Sequence, residues 1–433
     1  MRYIKSLIAI TFFITSSSIC NAQFSFNNYA LHNLNVIDVN SKQILKDYSI
    51  IINNDKIVDI LPTKNYIEND STHSIMLKNK FVLPGLIDAH VHFATDPTEE
   101  RRDNAEKVLK EMLLTGITSV RDMAGDTRAV SSLSRNTLVG DIDGPNIYYS
   151  ALMAGPKFFS DPRTIASAQG GISGKMPYMK AIDSTSNLTL EVAQAKGTGA
   201  SGIKLYANLP SQEINNIVKE AKKQGINVWA HAALMPTKPS DIITSGVISV
   251  SHVELFLYEY FKSRKELVDK WKISENDTKS SNYWDDEFNK LDFSELYHLM
   301  IDNNVVLDAT MTVYEKYKES LENSWQYELG KRITNQAYQK GVLVAAGSDS
   351  DQKTFVQHEI QLLVNECGFS PFDAIVSATK NSAMATGIFE KEGTIEKGKK
   401  ANLLLLNLDP TIDIENLKNV FMVIKNGKLY NAK

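Results

Sequence analysis

The middle of this 433-residue chain alternates short apolar segments with longer stretches that have helical periodicity. Stretches such as NAEKVLKEMLLTG and SQEINNIVKEAKKQG place apolar residues three and four apart, as an amphipathic helix requires. Strands that alternate with helices favour a parallel sheet, and eight such strands favour closure into a barrel. We therefore predict an α/β fold, a (β/α)8 barrel of the TIM type. The eight predicted strands are GLIDAHVHF, ITSVRD, NIYYSA, GIKLYA, NVWAHA, VISVSHV, NVVLDAT and VLVAAGSD.

The two ends of the chain have a different pattern. Residues 23–80 contain short alternating runs such as YSIIINNDKIVDIL, separated by Asn, Asp and Lys clusters that are typical of turns between antiparallel strands. Residues 385–433 contain ANLLLLNLD and NVFMVIKNGKLYN, and the Asn426–Gly427 pair predicts a hairpin turn. We expect both ends to form one small composite β-sandwich beside a barrel that spans residues 81–384.

The first 22 residues have the features of an export signal. Arg2 and Lys5 precede the apolar stretch LIAITFFI, and the sequence CNA ends at Ala22 in the manner of a signal-peptide cleavage site. The apolar stretch is too short for a permanent membrane span. We therefore expect residues 1–22 to be removed and the mature protein to be periplasmic or secreted. Cys367 would then be the one remaining cysteine, which leaves no intramolecular disulfide.

The charge of the chain is balanced and evenly distributed. There are 47 Lys and Arg residues and 51 Asp and Glu residues, for a formal net charge of −4. No basic patch indicates a nucleic acid or an anionic membrane surface as the partner. Two long connections, residues 152–201 and 255–304, interrupt the strand–helix alternation. Long insertions in a barrel usually lie on the face that binds the ligand, although the role of these two stays open.

Polar side chains concentrate near the C-terminal ends of the predicted strands, where the catalytic groups of a barrel gather. The pair on the first strand is two residues apart, so both imidazoles lie on the same face. Imidazole and carboxylate are good ligands for Zn²⁺ and similar ions. Four histidines and one aspartate suffice for two metal ions if another group bridges them. The six residues are His90, His92, Lys204, His231, His252 and Asp349.

Lys204 is the unusual member of this set. A protonated ammonium has no lone pair and would repel a divalent cation. Addition of CO₂ would convert the amine into a carbamate, whose carboxylate can bridge two metal ions. From the residues alone, an alternative stays open: Lys204 binds an anionic group of the substrate or pairs with a neighbouring acid.

Taken together, these motifs resemble the amidohydrolase superfamily. The resemblance rests on PGLIDAHVHF, the Lys of GIKLYA, the histidines of NVWAHA and VISVSHV, GSDS, and the C-terminal run from HEIQLLVNECGFSPFDAIVSATK to ANLLLLNLDP. It is closest to the imidazolonepropionase-like and Xaa-Pro dipeptidase-like branch, in which a composite β-sandwich accompanies the barrel. The resemblance implies two divalent ions, with zinc as the expected metal. His90, His92 and Asp349 would hold the more buried ion, carboxylated Lys204 would bridge, and His231 and His252 would hold the second ion.

The resemblance implies hydrolysis of an amide or peptide C–N bond. Two metal ions would make hydroxide available near neutral pH, and Asp349 would pass a proton to the departing nitrogen. We expect an exported dipeptidase with proline or a basic residue on the C-terminal side of the bond. The alternatives are a hydrolase of imidazolone- or hydantoin-like cyclic amides, a mononuclear deaminase, or an inactive binding protein on the same barrel. Relatives are often oligomers, so a homo-oligomer is left open.

Three further residues are candidates for substrate contacts. Tyr206 follows Lys204 by two residues and could bind an oxyanion or a carboxylate, or simply pack in the barrel. Arg121 could bind a carboxylate, or pair with an acid for structural reasons. His358 could support the site from behind or lie on the surface. Where the related branch often has Gly-Gly-His, the chain has QGGISGK with Ile172, so a substrate contact made by that histidine is absent.

Overall fold

The structure is a computed structural model that describes residues 27–93, 99–271, 286–349 and 355–431. The predicted export signal, residues 1–22, lies outside these ranges. Within them, no helix is long and apolar enough to cross a membrane.

The described residues form 18 strands, which belong to two sheets. The first five are β1 (Asn28–Asp38), β2 (Gln43–Asn53), β3 (Lys56–Pro62), β4 (His73–Met76) and β5 (Phe81–Pro84). The central ten are β6 (Leu86–Val91), β7 (Ile117–Asp122), β8 (Asn146–Ala154), β9 (Lys175–Met176), β10 (Met179–Ala181), β11 (Gly202–Leu205), β12 (Asn227–His231), β13 (Ser249–Ser251), β14 (Val306–Asp308) and β15 (Val344–Ala345). The last three are β16 (Leu403–Leu406), β17 (Val420–Lys425) and β18 (Lys428–Asn431).

The helices lie between the central strands and after them. In chain order they are α1 (Glu99–Leu114), α2 (Thr127–Val139), α3 (Pro162–Ser167), α4 (Leu188–Gly197), α5 (Ser211–Gln224), α6 (Pro239–Ile243), α7 (Arg264–Trp271), α8 (Ser294–Asp302), α9 (Met311–Glu315), α10 (Ser324–Lys340), α11 (Val356–Asn365), α12 (Pro371–Val376) and α13 (Ser382–Thr386). Shorter 3-10 turns occupy Thr63–Asn65, Pro156–Ser160, Val253–Glu259 and Ile414–Lys418, and a π-helical turn spans Ser377–Asn381.

Helix α5 shows why the predicted helical stretches fold as they do. Its buried residues Ile214, Ile217, Val218 and Ala221 recur at intervals of three and four, so that one face packs on the barrel. The helix ends at Gly225, whose φ of 68° lies in the left-handed region that glycine adopts without steric cost. The two helical stretches quoted from the sequence correspond to α1 and α5, which confirms both predictions.

The barrel forms as predicted, with one strand from each of the eight apolar segments. The strands β6, β7, β8, β11, β12, β13, β14 and β15 pair in parallel, each with its neighbour. Two backbone hydrogen bonds join the last strand region to the first: Ala89 N–H donates to Ala346 O at 3.0 Å, and Asp349 N–H donates to His90 O at 2.8 Å. The eight strands therefore make a nearly closed cylinder, and their C-terminal ends meet at one mouth.

Both ends of the chain contribute to a second, eight-stranded sheet with the order β18–β17–β16–β5–β1–β2–β3 and with β4 paired to β1. This composite domain confirms the prediction that the termini fold together. The Asn426–Gly427 turn is also confirmed, since φ is 49° and 75° at the two residues, as a type I′ hairpin turn requires. The strands are not all antiparallel: β1 pairs in parallel with β4 and β5, which return by longer connections than a hairpin.

The boundary between the two domains differs from the predicted one. The apolar run FVLPGLIDAHV is continuous in the sequence, which predicts a barrel that begins at the first residue of the run, Phe81. The structure divides it at Gly85, because Phe81–Pro84 pairs antiparallel with Leu403–Leu406 in the composite sheet. A Cβ on Gly85 would lie 2.2 Å from Thr118 Oγ1, so the chain can pass from one sheet to the other there only as glycine. The barrel therefore begins at Leu86 rather than at residue 81.

The long insertion after β8 contains a 3-10 turn, α3, the short β9–β10 hairpin and α4. The second long insertion contains the 3-10 turn Val253–Glu259, α7 and α8. In its described part, Trp271 packs edge-on to Phe288 and lies 5.7 Å from Trp325 of α10, so that aromatic side chains join this insertion to the main core.

Candidate metal centre and active site

A carboxylate at the barrel mouth lies among three imidazoles. Asp349 Oδ1 is 3.2 Å from His92 Nε2 and 3.7 Å from His90 Nε2, and Asp349 Oδ2 is 3.7 Å from His252 Nδ1. One ligand atom from each of His90, His92 and Asp349 falls within 4.8 Å of the others. Two nitrogens and a carboxylate oxygen at such spacing are a suitable donor set for a divalent metal ion.

The second predicted pair of histidines adjoins this cluster. The His231 and His252 rings are 4.4 Å apart and perpendicular, and the His252 ring is 5.0 Å from the His90 ring. Lys204 is fully buried on the neighbouring strand β11, with its Nζ 3.5 Å from Ser251 Oγ. The structure thus brings all six predicted ligands to one place.

Several strand ends at this mouth turn sharply. His252, Thr310 and Asp349 have φ values of 74°, 55° and 42°, all in the left-handed region that non-glycine residues rarely adopt. Such conformations persist where surrounding interactions enforce them, and they are concentrated at functional sites. Here they turn the backbone away at the points where His252 and Asp349 present their side chains to the mouth.

Each of three histidines has a partner at Nδ1. His90 Nδ1 is 2.8 Å from Asp308 Oδ2, His92 Nδ1 is 3.3 Å from Ala124 O, and His252 Nδ1 is 3.1 Å from Thr310 Oγ1. An imidazole that donates from Nδ1 keeps the lone pair at Nε2 for a metal ion. For His90 and His92, Nε2 is the atom that faces Asp349.

Burial keeps most of these imidazoles neutral. It lowers the pKa of His90, lowers that of His252 to about 3, and lowers that of His231 well below the ordinary value. Burial also lowers the pKa of His92, but the hydrogen bond and charge of Asp349 raise it by more, so the net shift is upward. Burial raises the pKa of Asp349, but the surrounding imidazoles and the hydrogen bond from His92 lower it by more. The net shift is downward, so Asp349 stays ionised.

Lys204 has no acidic partner in the described part of the chain. No carboxylate there lies within 4 Å of its Nζ, so the described residues give no support to a lysine salt-bridged to a neighbouring acid. Burial, reinforced by the charge of Arg121, lowers the pKa of Lys204 to about 7. A substantial fraction of the amine is therefore neutral at physiological pH, the form that can react with CO₂ or bind a metal.

A cavity of about 450 Å³ opens directly over the cluster. One wall is aromatic: the Tyr206 ring is 4.0 Å from the His231 ring and 4.6 Å from the Phe158 ring. Other walls are formed by Met123, Leu152 and Met179. The insertion after β8 supplies Phe158, Arg163, Thr164, Ser167 and Met179, which agrees with the expectation that this insertion lies on the ligand face.

The three residues that were predicted to contact the substrate lie in different parts of the structure. Tyr206 lines the cavity. Arg121 does not: it is fully buried below the ligands, where it donates to Asp308, Ser249 and two backbone carbonyls. This placement contradicts a substrate contact by Arg121. His358 also lies outside the cavity lining, because its Nε2 is 2.5 Å from Glu315 Oε2 between α9 and α11. Ile172 is 62% exposed and likewise outside the lining.

The sequence reasoning overlooked two kinds of residue. Asp308 ends β14 as His231 ends β12, and its position near the C-terminal end of the predicted segment NVVLDAT was the available signal. Arg101 and Lys316 line the cavity from a helix and a turn that follow strands, where a basic residue gives no local signal of its position.

Known proteins resemble this chain over nearly its whole length. A model of the amidohydrolase family matches residues 81–430. An imidazolonepropionase from Picrophilus torridus is 25% identical over 404 residues, which cover 88% of this chain and 90% of that protein. An ochratoxinase from Aspergillus niger is 25% identical over 451 aligned positions, covering 90% and 84% of the two chains. Among solved structures, a Xaa-Pro dipeptidase with methionine bound in its active site superposes with a TM-score of 0.73 at 26% identity, covering 93% of this chain and 100% of the other.

The matched region contains the entire barrel from β6 onward and all six residues of the cluster. The donor set of the cluster fits the divalent metal ions on which this group of enzymes typically depends. The chain is a hydrolase that acts on carbon–nitrogen bonds, and it belongs to the amidohydrolase family.

Proposed function

We propose that the protein is an exported dipeptidase that cleaves the bond before a C-terminal residue with a free carboxylate, with proline as the preferred residue. The similarity to a Xaa-Pro dipeptidase structure supports this class of substrate. The cavity volume of about 450 Å³ suits a dipeptide better than a longer chain. The residues that line the cavity supply the more specific argument.

The charge of the cavity wall is the observation that carries the proposal. Arg163 and Lys316 line it, whereas Asp349, itself a candidate metal ligand, is the only acid among the described lining residues. A substrate that fills this cavity should therefore bear a negative group away from the scissile bond. The carboxylate of a dipeptide meets this requirement, and a basic C-terminal side chain would face like charges. The apolar wall of Phe158, Leu152 and Met179 is suited to a proline ring.

The guanidinium of Arg163 is already held in one orientation by a neighbouring carboxylate. Its Nε is 3.1 Å from Asp161 Oδ1 and its Nη2 is 2.7 Å from Asp161 Oδ2, which fixes the plane of the guanidinium. Its guanidinium carbon is 6.0 Å from the centre of the Tyr206 ring. A guanidinium held in this way beside the cluster can accept a carboxylate without first ordering a flexible side chain.

We further propose that the cluster holds two zinc ions, one at His90, His92 and Asp349 and one at His231 and His252, with Lys204 between them. Such ions, when bound, lower the pKa of water and polarise a carbonyl group. Asp349 would accept a proton at its carboxylate and return it to the leaving nitrogen, because an amine departs poorly without one. Tyr206 would orient the substrate from the opposite wall, next to His231.

The proposed bridge requires a carbamate on Lys204. The Nζ lone pair would attack CO₂, the new N–C bond would form, and one N–H proton would leave to solvent, giving a carboxylate on a long stem. The absence of an acid within 4 Å in the described residues and the lowered pKa of the amine support this modification. A mass increase of one CO₂ that is lost on acidification would test it.

Hydrolysis of a cyclic amide is the second candidate, supported by the 25% identity to an imidazolonepropionase. A panel of substrates separates the two. The mature protein, loaded with Zn²⁺, would be given Xaa-Pro, Xaa-Leu and Xaa-Arg dipeptides, their C-terminal amides, and hydantoin- and imidazolone-type rings, with Asp349→Asn as the inactive control. We expect release of proline that is lost in the variant. Cleavage of the rings and of no dipeptide would refute the dipeptidase proposal.

Export is a separate proposal that rests on the N-terminal sequence. If it is correct, protein recovered from outside the cytoplasm starts at Gln23, and its mass shows this directly. A chain that keeps Met1 in a cytoplasmic fraction would contradict it.

A further inference from the structure

A buried carboxylate that is not among the predicted ligands lies beneath the cluster and contacts two of them. Asp308, the last residue of β14, is fully buried. Its Oδ2 is 2.8 Å from His90 Nδ1, accepts a hydrogen bond of 2.8 Å from Ser251 Oγ, and accepts one of 3.0 Å from Arg121 Nη2. The carboxylate oxygen is thus shared by a candidate ligand, a hydroxyl group and a counter-charge.

The same residue also reaches the other half of the cluster. Ser251 Oγ, which donates to Asp308, is 3.5 Å from Lys204 Nζ. The backbone carbonyl of Asp308 accepts a hydrogen bond of 3.1 Å from the amide of His252. Asp308 therefore contacts His90 and His252 directly and approaches Lys204 through one hydroxyl group.

We propose that Asp308 is a positioning residue of the metal centre: it fixes His90 as the Nδ1–H tautomer with Nε2 facing the metal, and it holds the side chain of Lys204 in place through Ser251. Arg121 completes the arrangement by neutralising the buried carboxylate from below. Its remaining donors are held by Ser249 Oγ at 2.7 Å, Ala385 O at 2.8 Å and Ala89 O at 2.6 Å, so its position is fixed by four separate segments.

The packing around Asp308 leaves it little freedom. Its Oδ1 is buried and has no hydrogen-bond partner among the described residues. A Cβ on Gly347 would lie 2.3 Å from this oxygen and 2.7 Å from His90 Cβ. The carboxylate is therefore held by shape as well as by hydrogen bonds, as expected of a group that must orient a metal ligand.

The test is the affinity for Co²⁺, measured by chelator competition on the metal-free protein and on Asp308→Asn. Asparagine keeps the size of the side chain but removes the charge, so the bonds from His90 and Arg121 weaken. Loss of such a supporting carboxylate typically weakens metal binding by about 10–100-fold, and we expect a loss in this range. The visible spectrum of bound Co²⁺ should change as well, because His90 no longer has one fixed tautomer.

A matched control separates positioning from general stability. Glu392 is also a buried carboxylate with several donors, including Tyr148 and Asn402, but it lies in the joint between the two domains. Glu392→Gln should lower the thermal stability of the metal-free protein at least as much as Asp308→Asn does, with Co²⁺ affinity within about threefold of wild type. Equal Co²⁺ affinities in Asp308→Asn and wild type would overturn the proposal, as would an equal loss in both variants.

Two further measurements cover the case in which Asp308→Asn does not fold. Ser251→Ala should weaken the second Co²⁺ equivalent, which needs Lys204, and leave the first within about threefold. Nitrogen-15 NMR of the wild-type imidazoles should show His90 protonated at Nδ1, with His90→Gln for assignment. Unchanged binding in Ser251→Ala would refute the link to Lys204, and an Nε2–H tautomer would refute the link to His90. Because the inference rests on the proposed metal centre, a wild-type protein that binds no Co²⁺ would refute that centre instead.

Discussion

The backbone amide of Asp349 donates a 2.8 Å hydrogen bond to the carbonyl of His90. These two residues come from opposite ends of the barrel sequence, and both are candidate ligands of the same metal ion. The bond that joins the last strand to the first thus also sets the distance between the two side chains. Closure of the barrel therefore also sets the spacing of these two candidate ligands, and changes that disturb the seam should affect both stability and metal binding.

Gly347 lies at this seam. In Gly347→Ala the new methyl group would meet Asp308 Oδ1 at 2.3 Å and His90 Cβ at 2.7 Å, and neither atom belongs to a flexible chain end. Overpacking of this kind costs about 1–3 kcal/mol, and we expect a loss of that size in the free energy of unfolding together with weaker metal binding. Urea denaturation checks the first effect. Gly197→Ala is the control, since its Cβ would meet nothing within 4 Å.

Arg163 should determine recognition of the substrate carboxylate. We expect Arg163→Met to raise the KM for a cleaved dipeptide by roughly 10–100-fold, the value of a charge-assisted hydrogen bond, and to change kcat much less. The KM for the C-terminal amide of the same dipeptide should stay within about threefold. Arg128 is a matched control, because it pairs with Asp126 at the start of α2 as Arg163 pairs with Asp161 at the start of α3, but it does not line the cavity. An equal effect of Arg128→Met would contradict this role.

Asn402→Asp should lower the stability of the joint between the two domains. Asn402 Nδ2 donates a 2.9 Å hydrogen bond to Glu392 Oε2, while Glu392 also accepts from Tyr148 and is 3.2 Å from Lys400 Nζ. Aspartate would place a second carboxylate against Glu392. We expect a loss of about 3 kcal/mol in the free energy of unfolding. Asn407→Asp, an exposed change beside Lys80, should have almost no effect.

Glu359 should make the stability of the metal-free protein depend on pH. Burial raises the pKa of Glu359 from 4.5 to about 8, although its bonds to Thr312 and to the Met311 amide act in the opposite direction. Between these two values the folded state holds a proton that the unfolded state has released. This contribution to stability is therefore complete below pH 4.5 and is lost as the pH rises toward 8.

Glu359→Gln removes the titrating group, so its unfolding free energy should fall less than that of wild type between pH 5 and 8. The expected difference is about 2–4 kcal/mol, from the size of the pKa shift. Urea denaturation at the two pH values measures it. Parallel pH profiles for the two proteins would show that Glu359 keeps an ordinary pKa in the folded state.

The barrel and its cluster could be predicted because each depends on a local pattern. His90 and His92 share a strand face through their spacing, and the positions of His231, His252 and Asp349 follow once each is recognised as the end of a parallel strand. The same reasoning should have included Asp308, which ends its strand in the same way. It was passed over because a single carboxylate in NVVLDAT matches no motif.

What could not be predicted depends on contacts between distant segments. Arg121 is adjacent to Asp122 in the sequence, yet its carboxylate partner is Asp308, 187 residues away. The role of Gly85 as the crossing point appears only when Leu403–Leu406 pairs with the residues before it. His358 looked close to Asp349 along the chain, but α11 directs it toward Glu315 on α9. The spacing of residues along the sequence does not indicate any of these pairings.

The central proposal is that carboxylated Lys204 would be a ligand shared by two metal ions, which would supply hydroxide for hydrolysis of the amide bond. It is tested most directly by the metal content per chain of wild type and Lys204→Ala after dialysis against Zn²⁺, measured with hydrolysis of the best dipeptide. We predict close to two zinc ions in wild type, about one in the variant, and a loss of activity that a short-chain carboxylate partly restores. Two zinc ions and full activity in the variant would contradict the claim.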